Sequence, residues 1–123
     1  NDLFDLGAAL AVPEVEKRPR ERLRIVDAQV ARLEAEIDQM NENLAPLTSF
    51  VLPGGTPLAA SLHLCRTVAR RAEREMVALA ALETLNEQAL RYLNRLSDFF
   101  FVAARFANDG GAGDVLWVPG GNR

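Results

Sequence analysis

The chain has little of several things that proteins are commonly built around. It has a single cysteine, Cys65, so no internal disulfide can form and nothing points to an oxidising compartment. It has a single histidine, His63, with no Cys, Asp or Glu at metal-ligand spacing, which leaves no structural zinc site and no plausible Ser–His–Asp triad. The longest uninterrupted apolar run, Met76 to Leu82, is seven residues, far short of the roughly 20 that span a bilayer. No GxxxxGK[ST] phosphate loop is present. Aromatic residues make up only 7% of the chain, against 19 alanines, so the core must be assembled mostly from Ala, Leu and Val. Such a core forms more readily from close-packed helices than from sheets, which favour β-branched and aromatic residues.

The 123 residues allow one domain, and the net charge of −3 argues against a basic nucleic-acid binder. The acidic start, NDLFDLG, has no signal-peptide pattern, and with no membrane span the chain is expected to be cytoplasmic. It also lacks an initiator Met and opens inside an apolar pattern with no capping signal, so it reads as a domain over 1–123 that is missing its N-terminal segment.

Apolar periodicity divides the chain into four helical segments. The first, Asn1 to Val12, stops at Pro13 and is followed by a charged connector, PEVEKRPR. The second, from about Glu21 to Leu44, carries Leu23, Val26, Val30, Leu33, Ile37, Met40 and Leu44 at heptad spacing, which suits the buried stripe of a bundle helix. The loop APLTSFVLPGGTP then places Phe50, Val51 and Leu52 ahead of a forced turn. Thr56 and Pro57 supply an N-cap and a first-turn proline for a third helix to about Leu82, and Asn86 caps a fourth that ends near Asn108. NDGGAGD reads as a flexible connector, and DVLWVPGGNR as an irregular tail laid on the bundle.

At 100° per residue, the third helix puts Leu58, Cys65, Val68, Ala69, Ala72, Met76 and Leu79 on one side. His63, Arg66, Arg70 and Arg74 fall on the other, flanked by Arg71 and Glu73. Of the 14 basic residues all but Lys17 are arginine, and forked guanidiniums one turn apart can grip neighbouring phosphates bidentately. A solvated face with ion pairs such as Arg70–Glu73 fits the same spacing. The fourth helix adds Asn94 and Asp98 one turn apart, with Arg91 near the same line. Asn94 can donate and accept, and Asp98 can orient an arginine or a ribose hydroxyl, although capping or ion pairing also explains the pair. Phe99, Phe100 and Phe101 fan over about 200°, so at least one ring should meet another subunit or a ligand. Residue spacing leaves open a nucleic-acid-binding helical module, which Glu73 and the net charge disfavour, and a purely structural bundle, which leaves PGGTP ahead of the arginines unexplained.

SFVLPGGTPLAASLHLCRTVARRAERE followed by ALRYLNRLSDFFFVAARFAN resembles the PduO-type ATP:cob(I)alamin adenosyltransferase family, and LFDLGAALA and DVLWVPGG fit as well. The resemblance implies an all-α, up-and-down helical bundle, with four helices here of a five-helix bundle, assembled as a homotrimer with sites between subunits. It implies transfer of the 5′-deoxyadenosyl group of ATP to the cobalt of cob(I)alamin, with Mg²⁺, release of triphosphate and formation of adenosylcobalamin. On this chain the ATP-binding residues would be Arg70, Arg71, Glu73, Arg74 and Asn94, while Arg66, Arg70 and Asp98 would serve the transfer itself. Arg66 matches an arginine that pairs with an N-terminal aspartate across the subunit interface, a partner the sequence lacks. Phe50 would close the lower face of the corrin and leave Co(II) four-coordinate, hence easier to reduce. The implied partners are small molecules, other copies of the chain and a possible cobalamin-dependent acceptor enzyme, with no nucleic acid, no membrane and no protein-bound metal.

Overall fold

The computed structural model of the chain describes residues 1–14 and 23–123. Among them are four helices, α1 (Asp2–Leu10), α2 (Asp27–Asn41), α3 (Pro57–Ala80) and α4 (Glu87–Ala107). Their starts follow from local chemistry. Thr56 Oγ1 accepts the Ala59 N–H at 3.1 Å and Pro57 fills the first turn of α3. Asn86 Oδ1 accepts the Gln88 N–H at 3.1 Å, while its Nδ2 donates to the Ile25 carbonyl at 2.8 Å and pins the start of α4 to the strand-like lead-in of α2.

The heptad stripe is buried in its middle, at Val30, Leu33 and Ile37, but not at its beginning. Leu23 and Val26 are exposed, because α2 starts at Asp27 and not near Glu21. Val26 is extended, and its N–H is caught by Gln29 Oε1 at 2.9 Å, so a cap closes the helix before it reaches Leu23. Glu21 itself and most of the proline-containing connector lie outside the described residues.

Helix α4 packs against both α2 and α3 and supplies more of the core than any other element. Ala89, Tyr92, Leu93 and Leu96 meet Val30 and Leu33 of α2, Met76 of α3, Leu6 of α1 and Ile25. Each large apolar side chain removed from water here contributes on the order of 1.5–3 kcal/mol. Among the described residues no helix is long and apolar enough to cross a membrane.

The face division expected for α3 is correct in its second half only. Ala69 and Met76 are buried, but Leu58, Cys65 and Val68 are exposed, and His63, expected beside the arginines, is buried with Ala59. The buried line drifts around the helix along its length, so a single wheel cannot describe it. NDGGAGD is also no flexible connector. Asp109, Gly110 and Gly111 turn with positive φ, and the Gly113 N–H closes the turn on the Asn108 carbonyl at 2.8 Å. The tail then runs against the Phe50 loop in an antiparallel bridge between Val51 and Leu116, with Leu52 N–H donating to the Val115 carbonyl at 2.7 Å and Trp117 N–H to the Phe50 carbonyl at 2.8 Å.

Docking of α1 rests on Asp2, which accepts from Arg32 of α2 and from the Tyr92 hydroxyl of α4 at 3.2 Å. Burial opposes the Asp2 carboxylate, but hydrogen bonds from Gln29, Arg32 and Tyr92 outweigh it and hold its pKa below the usual value. Burial, together with the adjacent Asp2 charge, pushes the Tyr92 phenol up to about 12. The folded state thus holds this proton more tightly than the unfolded chain, whose tyrosine titrates near ~10. Its contribution is complete below pH ~10 and is lost as pH climbs towards the folded value, at up to about 1.4 kcal/mol per pH unit. Melting temperature should therefore begin to fall above pH ~10, and Tyr92→Phe should flatten that fall. Tyr92 is the sole tyrosine, so its tyrosinate absorbance is a direct check; titration at the ordinary value would refute the effect.

Candidate functional site

Two depressions lie one after the other along the face where α3 meets α4. The first, of about 510 Å³, opens between Glu34 of α2, Glu73 and Val77 of α3, and Asn94 and Arg95 of α4. A chain of bonds crosses it. Arg70 Nη1 donates to Glu73 Oε2, Asn94 Nδ2 donates to Glu73 Oε1 at 2.8 Å, and Arg95 Nη2 donates to Asn94 Oδ1 at 2.6 Å. Arg95 also pairs with Asp98 at 3.4 Å. Helical spacing sets up the ends of this chain, and packing of α3 on α4 joins them.

The structure thus brings Arg70, Glu73, Asn94 and Asp98 into one network, with Arg95 as the link that sequence reasoning missed. The available signal was its position, one residue after Asn94 and three before Asp98. The Arg70–Glu73 ion pair expected of a solvated face is present, yet Glu73 is shared with Asn94 across two helices, which an ordinary surface pair is not. Arg71 and Arg74 are exposed and enter none of these bonds, so both guanidiniums remain available to a ligand.

The second depression, of about 460 Å³, is bordered by Leu47, Ser49, Phe50 and Val51 of the loop, Arg66 of α3 and Phe101 of α4. The Arg66 guanidinium carbon stands 5.0 Å from the Phe101 ring centroid, a cation–π contact. His63 meets the same ring edge-on at 6.3 Å, and its buried Nε2 has no hydrogen-bond partner among the described residues. Burial first, and the Arg66 charge second, lower the His63 pKa against a weaker pull from Asp114, so the imidazole is neutral at pH 7. Phe50 is 76% exposed, and its ring leans on Trp117 at 5.9 Å. Phe50 and Arg66 share one cavity, so the loop lies against the Arg66 end of the arginine stripe. Phe99, Phe100 and Phe101 are each partly buried, and Phe101 is the ring of the fan that reaches this cavity.

Such a face offers guanidiniums, from Arg66, Arg70 and Arg95, and the exposed Phe50 ring to a ligand that carries both negative charge and apolar surface. Among the described residues no group of three or more His, Cys, Asp or Glu could hold a metal ion.

The family model for cobalamin adenosyltransferase matches residues 1–107. A corrinoid adenosyltransferase of Mycobacterium tuberculosis is 51% identical over 125 residues, covering 100% of this chain and 64% of that protein. One from Bacillus subtilis is 45% identical over 116 residues, covering 94% and 58%. A variant of the PduO-type ATP:corrinoid adenosyltransferase from Lactobacillus reuteri, complexed with cobalamin and ATP, superposes with a TM-score of 0.82 at 40% identity, covering 94% of this chain and 64% of that one. The chain thus spans somewhat less than two thirds of the length of these relatives.

Proposed function

Because the chain belongs to the cobalamin adenosyltransferase family, we propose that it carries out transfer of the 5′-deoxyadenosyl group of ATP to the cobalt of cob(I)alamin. The observation that carries this reading is the pairing of the arginine-flanked Glu73–Asn94 bridge with the Phe50–Arg66–Phe101 cavity on one face. The transfer forms a bond from cobalt to C5′ and breaks the bond from C5′ to the triphosphate oxygen, whose electron pair departs with triphosphate. Cob(I)alamin is itself the nucleophile, so no protein base is required. Arg70, Arg71 and Arg74 hold the triphosphate and offset its growing charge, while Glu73 and Asn94 fix the nucleotide. Arg66 borders the corrin cavity, Asp98 orients Arg95, and Phe50 shields the lower face of the corrin. Mg²⁺ bound with the nucleotide would add to the neutralisation of the triphosphate by Arg70, Arg71 and Arg74.

The assembly proposed with this reading is a cytoplasmic homotrimer with each site completed by a neighbour, from which product passes to a cobalamin-dependent acceptor enzyme. An apolar groove of about 350 Å³, lined by Leu3, Leu64, Val68, Leu93 and Phe100, is the surface that such a neighbour would cover. Sedimentation should give three times the chain mass, and the same sample with ATP and chemically reduced cobalamin should yield adenosylcobalamin and triphosphate in equal amounts. A monomer at micromolar concentration would overturn the assembly, and no Co–C bond formation would overturn the reaction.

A further inference from the structure

Arg105, Asn108 and Asp114 touch neither depression, yet all three are buried or nearly so, at the junction of α4 with the tail. Asn108 is 1% exposed and uses its whole amide. Its Oδ1 accepts the Thr56 N–H at 2.9 Å, and its Nδ2 donates to the Gly54 carbonyl at 3.1 Å and to Asp114 Oδ1 at 3.4 Å. Gly55 turns with φ +95° against it, and a Cβ there would come within 2.1 Å of Asn108 Oδ1, so only glycine fits. Arg105 Nε donates to Asp114 Oδ2 at 2.8 Å, and its Nη2 reaches back to the Ala45 carbonyl at 2.9 Å.

These bonds hold the loop that carries Phe50 at both ends, Ala45 on one side and Gly54–Thr56 on the other. Asp114 also fixes where the tail begins, and the tail pairs with residues 50–52 and places Trp117 against Phe50. Phe50 itself is mostly exposed, so packing of its own ring does not decide where it stands. Backbone anchoring does. We propose that Asn108 and the Arg105–Asp114 pair are positioning residues that set the placement of Phe50 against the corrin, an inference that rests on the adenosyltransferase reading. A forked guanidinium suits the task, since one rigid group spans a tail carboxylate and a loop carbonyl at once.

The test uses Arg105→Lys, which keeps the charge facing Asp114 but cannot bridge to Ala45, and Asp114→Asn, which removes the charge. Val30→Ala, a core change on α2, serves as a control of comparable destabilisation. The readout is the fraction of cob(II)alamin in the four-coordinate form with ATP bound, by paramagnetic resonance, alongside separate KM values for ATP and corrinoid. Both hub variants should lower that fraction about tenfold or more and raise the corrinoid KM, with the ATP KM unchanged and Val30→Ala near wild type. Hub variants that match Val30→Ala overturn the proposal, and so does an Arg105→Lys protein that fails to fold, because the pair would then hold the bundle and not the loop. Absence of four-coordinate cobalt in the unmutated protein would instead overturn the function on which the proposal rests.

Discussion

Arg70→Ala should lower kcat/KM for ATP by roughly thirty- to a thousandfold, a loss of about 2–4 kcal/mol in transition-state stabilisation. Two effects combine. The departing triphosphate loses a bidentate cation, and Glu73 loses the partner that holds one of its oxygens while Asn94 holds the other. The Asn94 amide, tied to Glu73 and to Arg95, is then less firmly oriented. Arg70→Lys should recover only part of the loss, since an ammonium cannot reproduce the fork. Steady-state kinetics with ATP varied decide it. Unchanged values in the alanine variant would reduce Arg70–Glu73 to a half-exposed ion pair, worth little to anything.

Phe50→Ala should remove four-coordinate cob(II)alamin from the spectrum of the ATP-bound protein, as water or the lower nucleotide ligand returns to cobalt. Turnover should collapse when the assay begins from Co(II) and fall much less when Co(I) is supplied chemically. The ring is 76% exposed, so the melting temperature should hardly move; a buried staple beneath the Pro53 turn would instead cost a few kcal/mol, about what deleting a core phenylalanine costs. ATP affinity should stay near wild type, because the Glu73–Asn94 bridge lies in the neighbouring depression, whose lining includes neither Phe50 nor Arg66. Retention of four-coordinate cobalt in this variant would refute the shielding role.

Where the chemistry is local, the sequence was readable. Thr56–Pro57 and Asn86 mark helix starts through side-chain acceptors a few residues away, and the structure has both caps. The arginine spacing and the Asn94–Asp98 step name Arg70, Glu73, Asn94 and Asp98 of the bonded network, because helical periodicity alone puts those side chains on neighbouring turns. Periodicity could not show which stripe of α3 faces α4. Ala59 and His63 are covered in the first half of the helix and Ala69 and Met76 in the second, so a fixed wheel assigned His63 to the solvated side. Helix α2 is shorter than its heptad implies, because Leu23 and Val26 keep the spacing while Gln29 caps the chain at Val26. NDGGAGD departs from the expected connector for a deeper reason. Its composition is that of a linker, and its order comes from partners at Gly54 and Thr56, more than fifty positions earlier.

That separation has a kinetic side. Capping and the α3–α4 hairpin depend on contacts between near neighbours in sequence, and such structure forms early and fast. The bonds that shape the Phe50 loop span 52, 54, 60 and 68 positions, from Asn108 to Thr56 and Gly54, from Arg105 to Ala45, and from Ser49 to Trp117. Each must wait for the loop-closure entropy of half the chain to be overcome. On a ribosome, therefore, helices α2 and α3 can take shape while the Phe50 loop still has nothing to fold against, because Asp114 and Trp117 have yet to emerge. The aromatic wall of the site can acquire its form only once the tail is present.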